Sequence, residues 1–171
     1  NNNKIRHVSR ITSEVSTFVA SQNVDFRPLG ITQHSVTGKV YVTSHPSQLR
    51  SSPAIYSIHY RTRHITAIES VYMNFDAGKT DVGAHYFQFN EPRDLLLVDN
   101  GRLLVVADYG ANKVLVHDVS SGFVNSICKF SQDAGSADGR YRPCKFTRPW
   151  GLMVDGHSLY VGTSDGLLKT G

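Results

Sequence analysis

The stretch Pro92-Arg93-Asp94-Leu95-Leu96-Leu97-Val98-Asp99-Asn100-Gly101-Arg102-Leu103-Leu104-Val105-Val106-Ala107-Asp108 decides the fold. Two apolar runs are separated by Asp-Asn-Gly, a turn signal that lets the chain reverse with positive φ at its centre. The first run predicts a strand near Arg93–Val98 and the second a strand near Arg102–Ala107. Both are apolar on both faces, as strands are when other sheets cover them on either side. Downstream, Asp108-Tyr109-Gly110-Ala111-Asn112 predicts a second turn, followed by a third strand over Lys113–Asp118. Ser120-Ser121-Gly122 then introduces a fourth strand over Phe123–Phe130.

The same grammar recurs. Phe26-Arg27-Pro28-Leu29-Gly30-Ile31 leads to Gly38-Lys39-Val40-Tyr41-Val42-Thr43, and Phe146-Thr147-Arg148-Pro149-Trp150-Gly151-Leu152 leads to Gly156-His157-Ser158-Leu159-Tyr160-Val161-Gly162. Each copy has a Phe, a Pro, an apolar run, a Gly turn and a second apolar run. Four short antiparallel strands per unit, repeated in order, predict an all-β protein of the β-propeller class, with a β-sandwich as the rival. The reading divides the chain into 1–21, strands c and d of a partial blade; 22–75, a complete blade with an enlarged b–c loop; 76–132, a complete blade; and 133–171, an outer connection with the first strands of a further partial blade. The phase of the repeat predicts that both ends fall inside blades, so the rest of a ring is expected in further sequence or on another chain.

The middle unit, with Pro92, Asp99, Gly101, Val106-Ala107-Asp108, Asn112-Lys113-Val114 and Asp118, resembles an NHL repeat. The Gly/Asp-rich stretches Asp133–Gly139 before Phe146 and Asp76–Gly83 before Phe89 resemble the outer connections of that family. Asp94, where the pattern has Gly, and the long segment Ser44–Pro53 depart from it. The resemblance implies a ring of about six blades acting as a non-catalytic platform for protein–protein contact. Two further functions stay open under it: an RNA-binding module, and a secreted metal-dependent lyase-like enzyme in which histidines of several blades converge on a metal.

Charge favours none of these by itself. The net charge of +4 is spread unevenly, being +5 over residues 1–71, −3 over 72–128 and +2 over 129–171, which is no polycationic footprint. No apolar run reaches the ~20 residues of a spanning helix, so no membrane insertion is expected. The eight histidines show neither His-x-x-x-His nor His-Glu-x-x-His, and no cofactor or resident metal is expected. No Gly-x-Ser-x-Gly occurs, and the recurrent turn aspartates Asp99, Asp108, Asp118, Asp138, Asp155 and Asp165 suit backbone capping better than acid–base work.

Two loops break the repeat, and they carry the candidate binding residues: His45 and Arg50 in the enlarged b–c connection, and Arg140, Tyr141, Arg142, Lys145 and Arg148 around the last outer connection. Basic groups interleaved with aromatics could hold an anionic partner or stack on single-stranded RNA; the plainer reading is a solvated loop over apolar surface. Cys128 and Cys144 bracket that same connection. A disulfide between them would stabilise by about 3 kcal/mol and place the protein in an extracellular or secretory compartment, whereas free thiols would fit the cytoplasm.

Overall fold

A computed structural model describes residues 3–20, 26–45, 54–68, 70–73, 84–127 and 146–170. Within them the chain is built of strands: β1 (Lys4–Val8), β2 (Val15–Ala20), β3 (Arg27–Gln33), β4 (Val40–His45), β5 (Ala54–Ile58), β6 (Ile65–Ala67), β7 (Ser70–Met73), β8 (Ala84–Phe87), β9 (Pro92–Val98), β10 (Leu103–Asp108), β11 (Lys113–Asp118), β12 (Phe123–Ser126), β13 (Gly151–Asp155), β14 (Ser158–Thr163) and β15 (Gly166–Thr170). Hydrogen bonding groups them into a β1–β2 pair, a β3-β4-β5-β6 sheet, a β9-β10-β11-β12 sheet whose outer edge is continued by β7 and β8, and a β13-β14-β15 sheet. All neighbours within these blades are antiparallel. The fold is an all-β propeller of four-stranded blades, of which the second and third have all four strands among the described residues.

Alternation along the strands shows why the blades stack. In β10, Leu104 and Val106 join a core with Tyr41 and Ile55 of the second blade, while Val105 between them joins a core with Phe146 and Val161 of the fourth. In β4 the same rule puts Val40 and Val42 against the first blade and Tyr41 against the third. Successive side chains leave opposite faces of a strand, so an unbroken apolar run can serve two neighbours at once. The repeated phenylalanine is the wedge at each junction. Phe26 packs with Ile5, Phe18 and Val19 of the blade before it, Phe89 with Tyr41 and Ile55, and Phe146 with Val105 and Val114.

At the innermost strands the blades approach backbone to backbone. A Cβ on Gly30 of β3 would sit 2.8 Å from both the Arg93 carbonyl oxygen and the Asp94 Cα of β9. The Gly30 N–H donates to the buried Thr43 hydroxyl at 2.8 Å, and that hydroxyl donates onward to the Arg93 carbonyl at 3.1 Å. Gly30→Ala is therefore expected to cost about 1–3 kcal/mol by forcing β3 and β9 apart. The check is a lower urea midpoint at unchanged m-value.

Two expectations need correcting in detail. Ser70–Met73 lies in the range read as the second blade, yet β7 does not join β6. It pairs in parallel with β12, Val71 opposite Phe123, and β8 pairs back on β7, so the hairpin extends the outer edge of the third blade. The fourth strand of that blade, expected over Phe123–Phe130, ends at Ser126. Residues 128–130 lie outside the described residues. In β11, Val114, Leu115 and His117 are all buried, because both faces of this strand are covered. Asp94, which departs from the repeat pattern, joins two blades. Its Oδ1 accepts from the Leu95 N–H and its Oδ2 from the Leu152 N–H of β13, both at 2.9 Å.

Candidate functional site

Antiparallel strands put the b–c turns and the entries to the innermost strands on one face of the propeller. A shared device builds this face. Ser44, Asp108 and Thr163 occupy equivalent positions at the end of the second strand of their blades, and all three are buried. Ser44 Oγ accepts from the Arg27 N–H at 2.8 Å. Asp108 accepts from the Asn90 and Glu91 N–H groups at 2.9 and 2.8 Å and from the Ala111 N–H at 3.3 Å. Thr163 Oγ1 donates to the Gly166 carbonyl at 2.8 Å. Each polar end group thus ties down a loop on this face, which fixes what the loop carries.

The third blade's loop carries Tyr109, whose N–H donates to the Glu91 carbonyl at 2.9 Å. The Arg93 guanidinium lies 4.8 Å from the centre of the Tyr109 ring, and the Arg148 guanidinium lies 5.7 Å from the same ring. Arg93 is spoken for, being paired with the Glu91 carboxylate. That carboxylate also lies 3.6 Å from His45 Nε2. Arg148 is exposed and has no carboxylate within ion-pair distance among the described residues. Its backbone stands at φ 47°, a left-handed conformation that costs a non-glycine residue about 1–3 kcal/mol and persists where surroundings impose it. The Asn112 side chain imposes it, accepting from the Arg148 N–H at 2.9 Å. Beside Arg148 stands Trp150, 60% exposed.

Of the residues expected to bind, the structure brings His45 and Arg148 onto this one face. Arg50, Arg140, Tyr141, Arg142 and Lys145 lie outside the described residues, as do Cys128 and Cys144. Sequence reasoning missed Tyr109, Arg93, Glu91 and Trp150. Tyr109 was legible only as a turn residue, and its approach to Arg148 is made by two blades meeting. Among the described residues no three His, Cys, Asp or Glu side chains gather as a metal set. The histidines are dispersed: His34 lies on an a–b turn, His59 and His64 on a c–d turn, and His117 inside β11. Burial pushes the His117 imidazole below its ordinary value, with Asp118 opposing.

No family model matches the chain, and no curated protein matches it. Solved structures do. A chain of the nidogen/laminin complex superposes with a TM-score of 0.60 at 16% identity, covering 99% of this chain and 57% of its own. An auxiliary nutrient binding protein from Bacteroides thetaiotaomicron gives a TM-score of 0.61 at 12% identity, with coverages of 99% and 42%. The chain thus spans about half the length of these structures. At such identities the likeness is one of architecture, and both structures are propeller-like, in agreement with the stacked four-stranded blades described above.

Proposed function

We propose that this chain is part of a non-catalytic interaction scaffold of the NHL-like kind, presenting the Tyr109 face to a protein partner. The observation that carries the reading is the Tyr109 ring with the Arg93 and Arg148 guanidinium groups both close to it, and with the Arg148 charge left over. Arg, Tyr and Trp are the residues that most often dominate binding energy, and here all three are on rigid loops. Rigidity matters because ordering a loop on binding would cost affinity. Two observations favour protein over RNA as the partner. The Glu91 carboxylate sits among the basic groups, and of the two arginines described at the Tyr109 ring, Arg93 is already paired with it. The nidogen/laminin structure is of a protein complex, which supports the same reading by analogy of fold.

Cross-linking of the full chain in its native extract, followed by mass spectrometry, tests this. Arg148→Glu and Tyr109→Ala should each lower recovery of the specific partner about tenfold, equivalent to about 1.4 kcal/mol. Arg61→Glu, on the opposite face in the c–d turn of the second blade, should leave recovery unchanged. Equal recovery by all three variants overturns the assignment of the face. Recovery of RNA alone, with affinity falling steeply in salt, overturns the assignment of the partner.

A further inference from the structure

The opposite face of the propeller, where the a–b and c–d turns emerge, holds a cleft of about 440 Å³ between the second and third blades. That volume lies in the range of small-molecule sites. His34, Lys39 and Tyr41 line it from the second blade, and Asn100, Arg102 and Ser120 from the third.

The groups that face the cleft are mostly donors, and several are fixed in place. His34 Nδ1 accepts from the Val36 and Thr37 N–H groups at 3.2 and 3.4 Å, which puts the ring proton on Nε2. The His34 ring lies flush against Gly101, where a Cβ would stand 2.4 Å from Nε2, and Gly101 has φ +88°. Two independent constraints therefore require glycine here, and together they keep the imidazole at the mouth of the cleft. Tyr41 is 2% exposed, and burial pushes its phenol above the ordinary value, so the hydroxyl keeps its proton as a donor.

Charge narrows the ligand. Arg102 is taken up by Asp118 at 3.1 Å and Asp99 at 3.6 Å. Asp118 stays ionised beside it, because the Ser120 hydroxyl, then the Ser121 and Ser120 N–H groups, hold its carboxyl well below the usual range. Lys39 has no acidic partner among the described residues. Two cations against two carboxylates leave the cleft neutral, and the side chain that remains able to take a new partner is the Lys39 ammonium, since each carboxylate already faces Arg102. Around it stand neutral hydroxyl and amide groups from Thr37, Asn100 and Ser120.

From this arrangement we infer that the cleft binds a small hydroxylated monocarboxylate of the sugar-acid type. The carboxylate pairs with Lys39 and takes hydrogen bonds from the His34 Nε2–H and the Tyr41 hydroxyl, while Asn100 and Thr37 meet the ligand's hydroxyls. A dianion would place its second charge near Asp99 and Asp118 without a cation to match it, which disfavours phosphate. An uncharged sugar would leave Lys39 unmatched.

Calorimetric titration of the full chain with glucuronate, glucose and inorganic phosphate tests the inference. Saturable glucuronate binding is expected, with glucose and phosphate at least tenfold weaker. Lys39→Gln should weaken glucuronate at least tenfold while leaving the thermal midpoint unchanged. If that variant does not fold, Tyr41→Phe, which keeps the buried ring and removes only the hydroxyl, should weaken binding several-fold. Arg148→Glu should have no effect, so this site and the Tyr109 face stand or fall separately. Absence of saturable glucuronate binding overturns the inference, as does phosphate or glucose binding as tightly, or glucuronate affinity indifferent to both Lys39→Gln and Tyr41→Phe.

Discussion

Phe89→Ala is expected to destabilise the protein by about 3–5 kcal/mol, the range for emptying a buried aromatic site. Phe89 is 4% exposed and lies in a core shared by two blades, touching a cluster that includes Tyr41 and Ile55 on one side and Leu95, Leu104 and Val106 on the other. Removal of the ring leaves a cavity that neither sheet can close alone, because each is held at its inner strand by the next blade. Collapse is therefore poor and the upper part of the range applies. Since domains of this size are stable by about 5–15 kcal/mol, a large fraction of the total is at stake. Equilibrium urea unfolding followed by tryptophan fluorescence measures the loss. Phe89→Leu should recover more than half of it, and equal losses for the two variants would mean that the site does not discriminate by volume.

Asp108→Ala is expected to cost about 3 kcal/mol by stranding the N–H groups of Asn90 and Glu91, which are partly buried. The same carboxylate also receives the Ala111 N–H, so one substitution loosens both the entry to β9 and the turn that carries Tyr109. The effect has a pH signature. Burial raises the Asp108 carboxyl above 3.8, against the opposing pull of the Glu91, Asn90 and Ala111 N–H groups and Lys113. A raised acid in the folded state binds its proton more tightly than in the unfolded chain. The contribution of Asp108 to stability is therefore greatest at acid pH and falls as pH rises from 3.8 through the raised value. The difference in unfolding free energy between wild type and Asp108→Ala should narrow over that window. A difference that widened with pH would show the carboxylate to be a net stabiliser in its ionised form.

The order of strands within a blade was legible from the sequence because the signals are local. Asn100-Gly101 between two apolar runs specifies a hairpin, and its neighbours repeat the pattern. The junction phenylalanines were visible as a repeat, although nothing local says that each serves the preceding blade. The anchoring residues were harder to see. Ser44, Asp108 and Thr163 do one job with three different side chains, so no motif marks them, and Asp94 holds β13 through a residue that breaks the repeat. The candidate face was half legible. Arg148 stood out as basic, but its aromatic neighbour is Tyr109, reached across a blade junction rather than along the chain.

The parallel contact of β7 with β12 bears on the order in which this molecule assembles. Val71 meets Phe123 across an interval that contains every other strand of the third blade. Hairpins within a blade close short loops, whereas this contact closes a long one and pays its chain entropy before gaining any pairing. The β7–β12 pairing therefore forms after the sheet it borders. It works as a latch set from behind, by a segment that comes off the second blade and seals the third only once the third exists.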